Sequence, residues 1–224
     1  MDSKLIPYYF GTAFLWILWL FEEARARGHN PLSPQALLCA AIVATGVCTI
    51  VFGRLFRAFQ RLNRGERGEL CVGEVLDELR SDGYRVFHDL VRDAFNVDHV
   101  VVGPAGVFVV ETKFRSGRGE IEFRNGEGLF VGGRKEDNDP LKQARGCAGE
   151  INKLIKETTG QEIWVKPLVV FVGDWRIKNT WRNTDARVFT PAQVVRYVCQ
   201  QQPELRRSEI QLIASHLERT ARGH

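Results

Sequence analysis

The stretch Asp98-His-Val-Val-Val-Gly-Pro-Ala-Gly-Val-Phe-Val-Val-Glu111-Thr-Lys113 determines how this chain of 224 residues is expected to fold. Two runs of β-branched residues flank the turn Gly103-Pro-Ala-Gly106, a pattern typical of a β-hairpin. Symmetric closure of that turn predicts the following cross-strand pairs: Val102 with Val107, Val100 with Val109, and Asp98 with Glu111.

The hairpin is expected to bring two carboxylates together. Side chains alternate along a strand, so Asp98, Glu111 and Lys113 share one face of the sheet. Like charges directly opposite each other destabilise a sheet, and the surrounding valines indicate burial, where an uncompensated charge pair is costly. We therefore expect a hard cation, Mg²⁺ or Mn²⁺, between Asp98 and Glu111. The alternative is a solvated strand face on which Glu111 pairs with Lys113.

The composition limits the protein class only weakly. The formal net charge of +4 indicates no particular partner. The five cysteines form no CxxC pair and no spacing typical of metal ligands. They are expected to be reduced thiols in a reducing compartment, with no functional role.

Two uncharged apolar stretches, residues 5–21 and 35–53, precede the hairpin. Each would form a helix of about 25–29 Å, close to the ~30 Å hydrocarbon core of a bilayer. We predict that residues 1–53 form a transmembrane helical hairpin. Two alternatives stay open: a pair of buried helices in a soluble bundle, and a cleaved signal peptide.

A basic segment, residues 54–64, follows the second apolar stretch. Leu55, Phe59 and Leu62 fall on one helical stripe, and four arginines fall on another: Arg54, Arg57, Arg61 and Arg64. This pattern predicts an amphipathic juxtamembrane helix on anionic lipid headgroups, with nucleic-acid phosphates as the alternative partner. Positive charge marks the cytoplasmic side, so we expect a two-span protein of the plasma (inner) membrane with both termini in the cytoplasm.

Residues 65–224 are predicted to form a single α/β domain with a mixed sheet flanked by helices. The predicted strands are 84–90, the hairpin 98–113, 119–123, 128–131, 164–172 and 187–189. The predicted helices are 68–81, one from Asp139-Pro140 to about Gly160, one starting at Thr190-Pro191, and 208–221. Asp139 is the expected N-cap of its helix, with proline at the first helical position.

Four parts of the domain carry a resemblance to a known family. They are Gly68-Glu69, Tyr84-Arg-Val-Phe-His-Asp89, the hairpin quoted above, and Asp139-Pro-Leu-Lys-Gln143-Ala144. Their order and spacing over about residues 65–200 resemble the NERD (nuclease-related) domain family. The resemblance implies a restriction-endonuclease-like core of the PD-(D/E)xK nuclease superfamily, and it covers neither apolar span. One departure is Val97, where proline is often found before the aspartate.

The resemblance also implies a set of site residues: Glu69, Asp98, Glu111, Lys113 and Gln143. Asp98 and Glu111 are expected to bind the metal, and Lys113 to orient water or offset charge on a phosphate. Glu69 is expected to add a ligand or hold a water, and Gln143 to position Lys113 or the phosphate. The alternative for Glu69 is a first-turn acid favoured by the helix dipole, and for Gln143 an ordinary surface residue.

Two functions are compatible with these patterns. The first is a membrane-anchored, metal-dependent phosphodiester hydrolase, a nuclease with DNA as the favoured substrate. The second is a membrane-tethered module that binds nucleic acid or acts as a scaffold on a nuclease-like fold without catalysis. The complete set of Asp98, Glu111 and Lys113 favours the first function.

Overall fold

The computed structural model describes residues 16, 19, 23–26, 34–92, 95–124, 127–178 and 186–222. The chain divides into two units, Met1–Phe59 and Gln60–His224. The helices are α1 (Pro34–Asp77), a 3-10 helix (Glu78–Asp82), α2 (Pro140–Thr159), α3 (Pro191–Cys199) and α4 (Arg207–Arg222). The strands are β1 (Arg85–Arg92), β2 (Phe95–Gly103), β3 (Gly106–Arg124), β4 (Gly128–Val131), β5 (Arg134–Lys135), β6 (Val165–Lys178) and β7 (Arg187–Phe189).

Helix α1 joins segments that the sequence analysis treats separately. It runs for 44 residues through the apolar stretch 35–53, the basic segment 54–64 and most of the predicted helix 68–81. Lone glycines such as Gly53 and Gly65 do not interrupt it, because a helical glycine costs only about 1 kcal/mol. The α-helix ends at Asp77, earlier than predicted, and the 3-10 helix continues the chain to the left-handed Gly83, whose φ is 84°.

The structure does not support the predicted transmembrane hairpin. Across the residues that the structure describes, no helix is both long enough and apolar enough to cross a membrane. Of the first predicted span, 5–21, only Trp16 and Trp19 are among the described residues, and the rest lies outside them. The second span, 35–53, is helical as part of α1.

The sheet of the second unit is mixed, as predicted, and has helices on its faces. Its strands follow the order β1-β2-β3-β4-β5 with antiparallel pairing, while β6 pairs with β3 and with β7 in parallel. The predicted strand 119–123 is the far part of β3, because β3 continues past an irregularity between Phe114 and Arg118. Strand β6 likewise continues to Lys178, beyond the predicted 164–172.

The hairpin register agrees with the prediction over its apolar part. Val102 pairs with Val107 and Val100 with Val109, and Gly103 pairs with Gly106 across the turn. The N-cap of α2 is also confirmed, since the Asp139 carboxylate accepts the N–H groups of Leu141 and Lys142. Both features depend on local signals, turn residues and a capping side chain.

Among the described residues, three apolar clusters surround the sheet. The first lies under α2 and α4 and includes Val100, Val109, Ile151 and Ile213. The second lies under α1 and α3 and includes Leu76, Val101, Phe108 and Val194. The third lies under the start of α2, beside the far part of β3, and includes Ile121, Leu141, Ala144 and Phe171. Helix α2 therefore contributes to the first and third clusters.

Candidate active site

The regular ladder of β2 and β3 ends at the position of the predicted carboxylate pair. Their ladder ends where His99 pairs with Val110, one position before Asp98 and Glu111 would meet. The carboxylate of Asp98 instead accepts the backbone N–H of Thr112 at 2.7 Å. The predicted direct pairing is therefore replaced by a side-chain hydrogen bond, which satisfies a backbone donor that the ladder no longer reaches.

The alternation of side chains is also broken beside Asp98. Val97 and Val100 pack in the same apolar cluster although they are three positions apart, which strict alternation forbids. On the neighbouring strand, Asp89 has a positive φ of 50°. Such a conformation is uncommon outside glycine and is found most often at Asn and Asp. The irregularity shifts Asp98 out of the regular pleat and leaves it only partly exposed.

Glu111 and Lys113 form the centre of the site together with Gln143. The Nζ atom of Lys113 donates to Oε1 of Glu111 at 2.5 Å and to Oε1 of Gln143 at 3.0 Å. Glu111 has only 2% of its side chain exposed, and its Oε2 is buried without a hydrogen-bond partner. A buried, unpartnered carboxylate oxygen is costly unless something binds it.

The electrostatics of the two carboxylates reflect this arrangement. Burial, reinforced by the negative charge of Asp98, raises the pKa of Glu111 to about 7, although Lys113 opposes the shift. Burial also raises the pKa of Asp98, against the N–H of Thr112 and the charge of Lys113. The folded protein thus resists ionising both groups, and a bound cation would remove that resistance.

Glu69 approaches the same region from helix α1. Its pKa is raised by burial first and then by the charge of Asp98. Gly68 lets the helix come close to the sheet, because a Cβ there would lie 3.1 Å from Cβ of Phe114 and 3.7 Å from Thr112. The predicted site residues Glu69, Asp98 and Glu111 therefore influence one another through their charges.

Two residues of the site carry no recognisable sequence signal. Thr112 acts through its backbone N–H, which no residue type would reveal. Cys147 lies one helical turn after Gln143, and its thiol donates to the carbonyl of Asn96 at 3.5 Å. Burial, followed by the charges of Glu111 and Asp98, raises the pKa of Cys147 to about 11. Only its i+4 spacing from Gln143 could have indicated that it faces the same region.

An open pocket adjoins the site at the beginning of α2. It is lined by Asp137, Asn138, Asp139, Lys142 and Gln143. Gln143 lines this pocket and also accepts a hydrogen bond from Lys113, so the pocket adjoins the end of the site at which Lys113 lies.

The donor set fits a hard cation that keeps several waters. Among the described residues, no three His, Cys, Asp or Glu side chains are grouped as a metal-binding set. Asp98 and Glu111 offer carboxylate oxygens, which Mg²⁺ accepts in small number, and Oε2 of Glu111 is without a hydrogen-bond partner. His99 does not belong to the set: its ring faces away and lies 2.9 Å, Nδ1 to Nδ1, from His88.

Comparison with known proteins identifies a nuclease-related domain (NERD) at residues 64–172. This range contains every predicted site residue and ends within β6, earlier than the resemblance seen in the sequence. An uncharacterized protein from Bacillus anthracis is 38% identical over 55 residues, which are 22% of this chain and 26% of that protein. The chain therefore spans about a quarter of the length of this relative. No solved structure matches the chain.

Proposed function

We propose that the nuclease-related domain of this chain is a metal-dependent phosphodiester hydrolase that acts on nucleic acid, with DNA as the favoured substrate. The observation that carries the proposal is the state of Glu111. One of its oxygens binds Lys113, the other is buried without a partner, and its pKa is raised to about 7 beside Asp98. Perturbed buried acids of this kind are concentrated at functional sites.

Asp98 and Glu111 would hold Mg²⁺ or Mn²⁺ in this proposal. When bound, such an ion polarises a phosphate and makes water a better nucleophile at neutral pH. Two carboxylates are a usual protein contribution for a cation that retains much of its hydration. The N–H of Thr112 fixes one oxygen of Asp98, which leaves its other oxygen for the ion.

Lys113 is held ready for the substrate by its neighbours. Its ammonium group carries three donors, and two of them are directed to Glu111 and Gln143. The third can donate to a phosphate oxygen and offset the negative charge that develops there. Gln143 thus orients Lys113 from the edge of the pocket, and Glu69 supplies a further acceptor for water.

A specific observation favours the non-catalytic alternative, in which the domain binds nucleic acid or acts as a scaffold. Lys113 and Glu111 form an ion pair that is largely buried, with exposed fractions of 18% and 2% for the two side chains. This pair partly neutralises the charge of the site without a metal ion. A protein could retain this pair for stability without using it in catalysis. The cleavage experiment described below separates the two functions.

Attachment to the inner membrane is part of the proposal. Several large apolar side chains of α1 are exposed: Ile42, Val43, Val47, Ile50, Val51, Phe52, Leu55, Phe56, Phe59 and Leu62. Extended exposed apolar surface of this kind is typical of a site that contacts a membrane or another protein. We expect the full chain to float with anionic vesicles, and cysteine labelling of intact cells to leave the cytoplasmic domain unlabelled. Absence of vesicle binding would contradict this part of the proposal.

The decisive experiment is cleavage of plasmid and single-stranded DNA by the purified full chain with Mg²⁺ or Mn²⁺. We expect Asp98→Ala and Lys113→Ala to abolish cleavage, and Lys113→Ala to retain metal binding. Glu120→Gln is the matched control, because Glu120 lies on the same strand, is exposed and pairs with Lys178. No cleavage by a folded protein that binds the metal would favour the non-catalytic function.

A further inference from the structure

A chain of hydrogen bonds connects helix α1 to the strands beside Asp98. The Nε2 atom of His88 lies 3.1 Å from Oδ1 of Asp77, and its Nδ1 lies 2.9 Å from Nδ1 of His99. Arg80 donates to the same Oδ1 of Asp77 at 2.6 Å and to the carbonyl of Val86 at 2.7 Å. The last regular pair of β1 and β2 before the irregularity at Asp98 is His88 with His99.

The directions of these bonds follow from the donor inventory of imidazole. A neutral ring has one N–H and one bare nitrogen. The bonds are all satisfied if His99 donates from Nδ1 to His88 and His88 donates from Nε2 to Asp77. The Nε2 atom of His99 is then an acceptor, and it is the atom found buried without a partner. His88 is therefore the only link between the carboxylate on α1 and the ring next to Asp98 in this chain of bonds.

The same rings define how closely α1 approaches the sheet. A Cβ at Gly73 would lie 3.3 Å from Nδ1 of His88 and 3.5 Å from Cε1 of His99. Glu69, Gly73 and Asp77 follow one another at intervals of four, so they lie on one face of the helix. On that face, Gly73 contacts the histidine pair one turn after Glu69. Asp77 is bonded to His88 two turns after Glu69.

We propose that His88 is a positioning residue for Glu69: through its bond to Asp77 it holds α1, and Glu69 on it, against the strands that carry Asp98 and Glu111. The inference rests on the proposed metal site and assigns it a supporting residue outside the ligands. Supporting residues of metal sites typically change metal affinity by 10–100-fold when they are replaced.

Two conservative substitutions separate the bonds of His88. Glutamine places its amide nitrogen near the position of Nε2, so His88→Gln retains the bond to Asp77. Asparagine places its amide near the position of Nδ1, so His88→Asn retains only the contact with His99. We expect calorimetric titration of the full chain with Mn²⁺ to give wild-type affinity for His88→Gln and an affinity about tenfold weaker for His88→Asn.

A double-mutant cycle distinguishes positioning from general stabilisation. In a Glu69→Gln background, His88→Asn should cause no further loss of Mn²⁺ affinity, because its effect acts through Glu69. The control Arg80→Gln removes another bond of the same Asp77 oxygen, and it should lower the melting temperature while leaving the affinity unchanged. The inference would be overturned if His88→Asn lowered the Mn²⁺ affinity equally in the wild-type and Glu69→Gln backgrounds. Equal Mn²⁺ affinities of His88→Gln and His88→Asn would overturn it as well.

A metal-free measurement keeps the inference separate from the proposed function. Asp98→Asn is introduced into the wild type, His88→Gln and His88→Asn, and the ¹³C carboxyl chemical shift of Glu69 is measured in each. The substitution should change this chemical shift in the wild type and in His88→Gln, and it should leave the chemical shift unchanged in His88→Asn. If the wild type binds no Mn²⁺, the proposed metal site fails, and the carboxyl resonance alone decides the positioning role. A response that is unchanged by His88→Asn would refute that role.

Discussion

Replacing Glu111 by glutamine should stabilise the metal-free protein at pH 8 and not at pH 4. The pKa of Glu111 is raised from 4.5 to about 7, with burial as the main cause, so the native state favours the protonated side chain. A folded-state pKa above the unfolded one contributes stability that is complete below pH 4.5 and is lost as the pH rises through 7. Glutamine resembles the protonated acid and does not ionise, so it escapes this loss.

The expected magnitude follows from the size of the shift. A difference of one pKa unit corresponds to about 1.4 kcal/mol, and a rise from 4.5 to about 7 therefore costs the ionised protein about 3 kcal/mol. The side chain is 2% exposed, so solvent screens little of this energy. For a domain of this size, a gain of that magnitude raises the melting temperature by roughly 6–12 °C.

The assay is thermal unfolding of the full chain in detergent with a chelator, at several values of pH between 4 and 8. Glu120→Gln on the exposed part of β3 is the control, and it should show no comparable dependence on pH. Adding Mn²⁺ should reverse the order, because an ion present at 1,000 times its Kd stabilises the wild type by ~4.1 kcal/mol and the variant lacks a ligand. A Glu111→Gln protein that is equally destabilised at pH 4 and pH 8 would refute the argument from burial.

Further predictions concern helix packing, capping and thiol reactivity. Gly73→Ala should destabilise the fold by about 1–3 kcal/mol in denaturant titrations, since its Cβ would contact His88 at 3.3 Å. Gly146→Ala in α2 would place its Cβ where no atom lies within 4 Å, and it should stabilise the fold by about 0.5–1 kcal/mol. A loss of stability in both variants would contradict the packing argument. Asp139→Ala should cost ~1 kcal/mol by removing the cap of α2. Mass spectrometry after thiol alkylation of the folded chain should show modified Cys71, which is exposed, and unmodified Cys147, which is buried; rapid modification of Cys147 would show that the site opens.

The parts of the fold that were predictable depend on residues close together in the chain. The turn residues between Gly103 and Gly106 define the hairpin register, because a tight turn leaves few ways to pair two valine-rich strands. Asp139 and Pro140 define the start of α2 for a similar reason, since cap and first-turn N–H groups are neighbours. The association of Glu111, Lys113 and Gln143 was also predicted, and Lys113 bonds to both of the others.

Other features went beyond what local pattern could predict. The continuity of α1 through the apolar and basic segments was missed, because the change of composition along it suggested separate elements. The sequence predicted that the regular ladder of β2 and β3 would include Asp98 and Glu111, but it ends at His99 and Val110, next to the positive φ of Asp89, a conformation that has no clear sequence signature. The roles of Asp77 and His88 depend on contacts 11 residues apart between a helix and a strand.

The sequence by itself determined the class of this protein, a mixed α/β sheet with helices and a nuclease-related set of acidic and lysine side chains. Hydrophobic periodicity, turn residues and caps act over a few positions, so their effects can be predicted from the sequence. Only the tertiary structure decided how these side chains are used: which oxygen of Glu111 is buried without a partner, that Thr112 binds Asp98, and that His88 connects α1 to β2. Burial and long-range hydrogen bonding arise when distant segments pack against one another, and it is this packing that sets the pKa of Glu111 and with it the chemistry of the site.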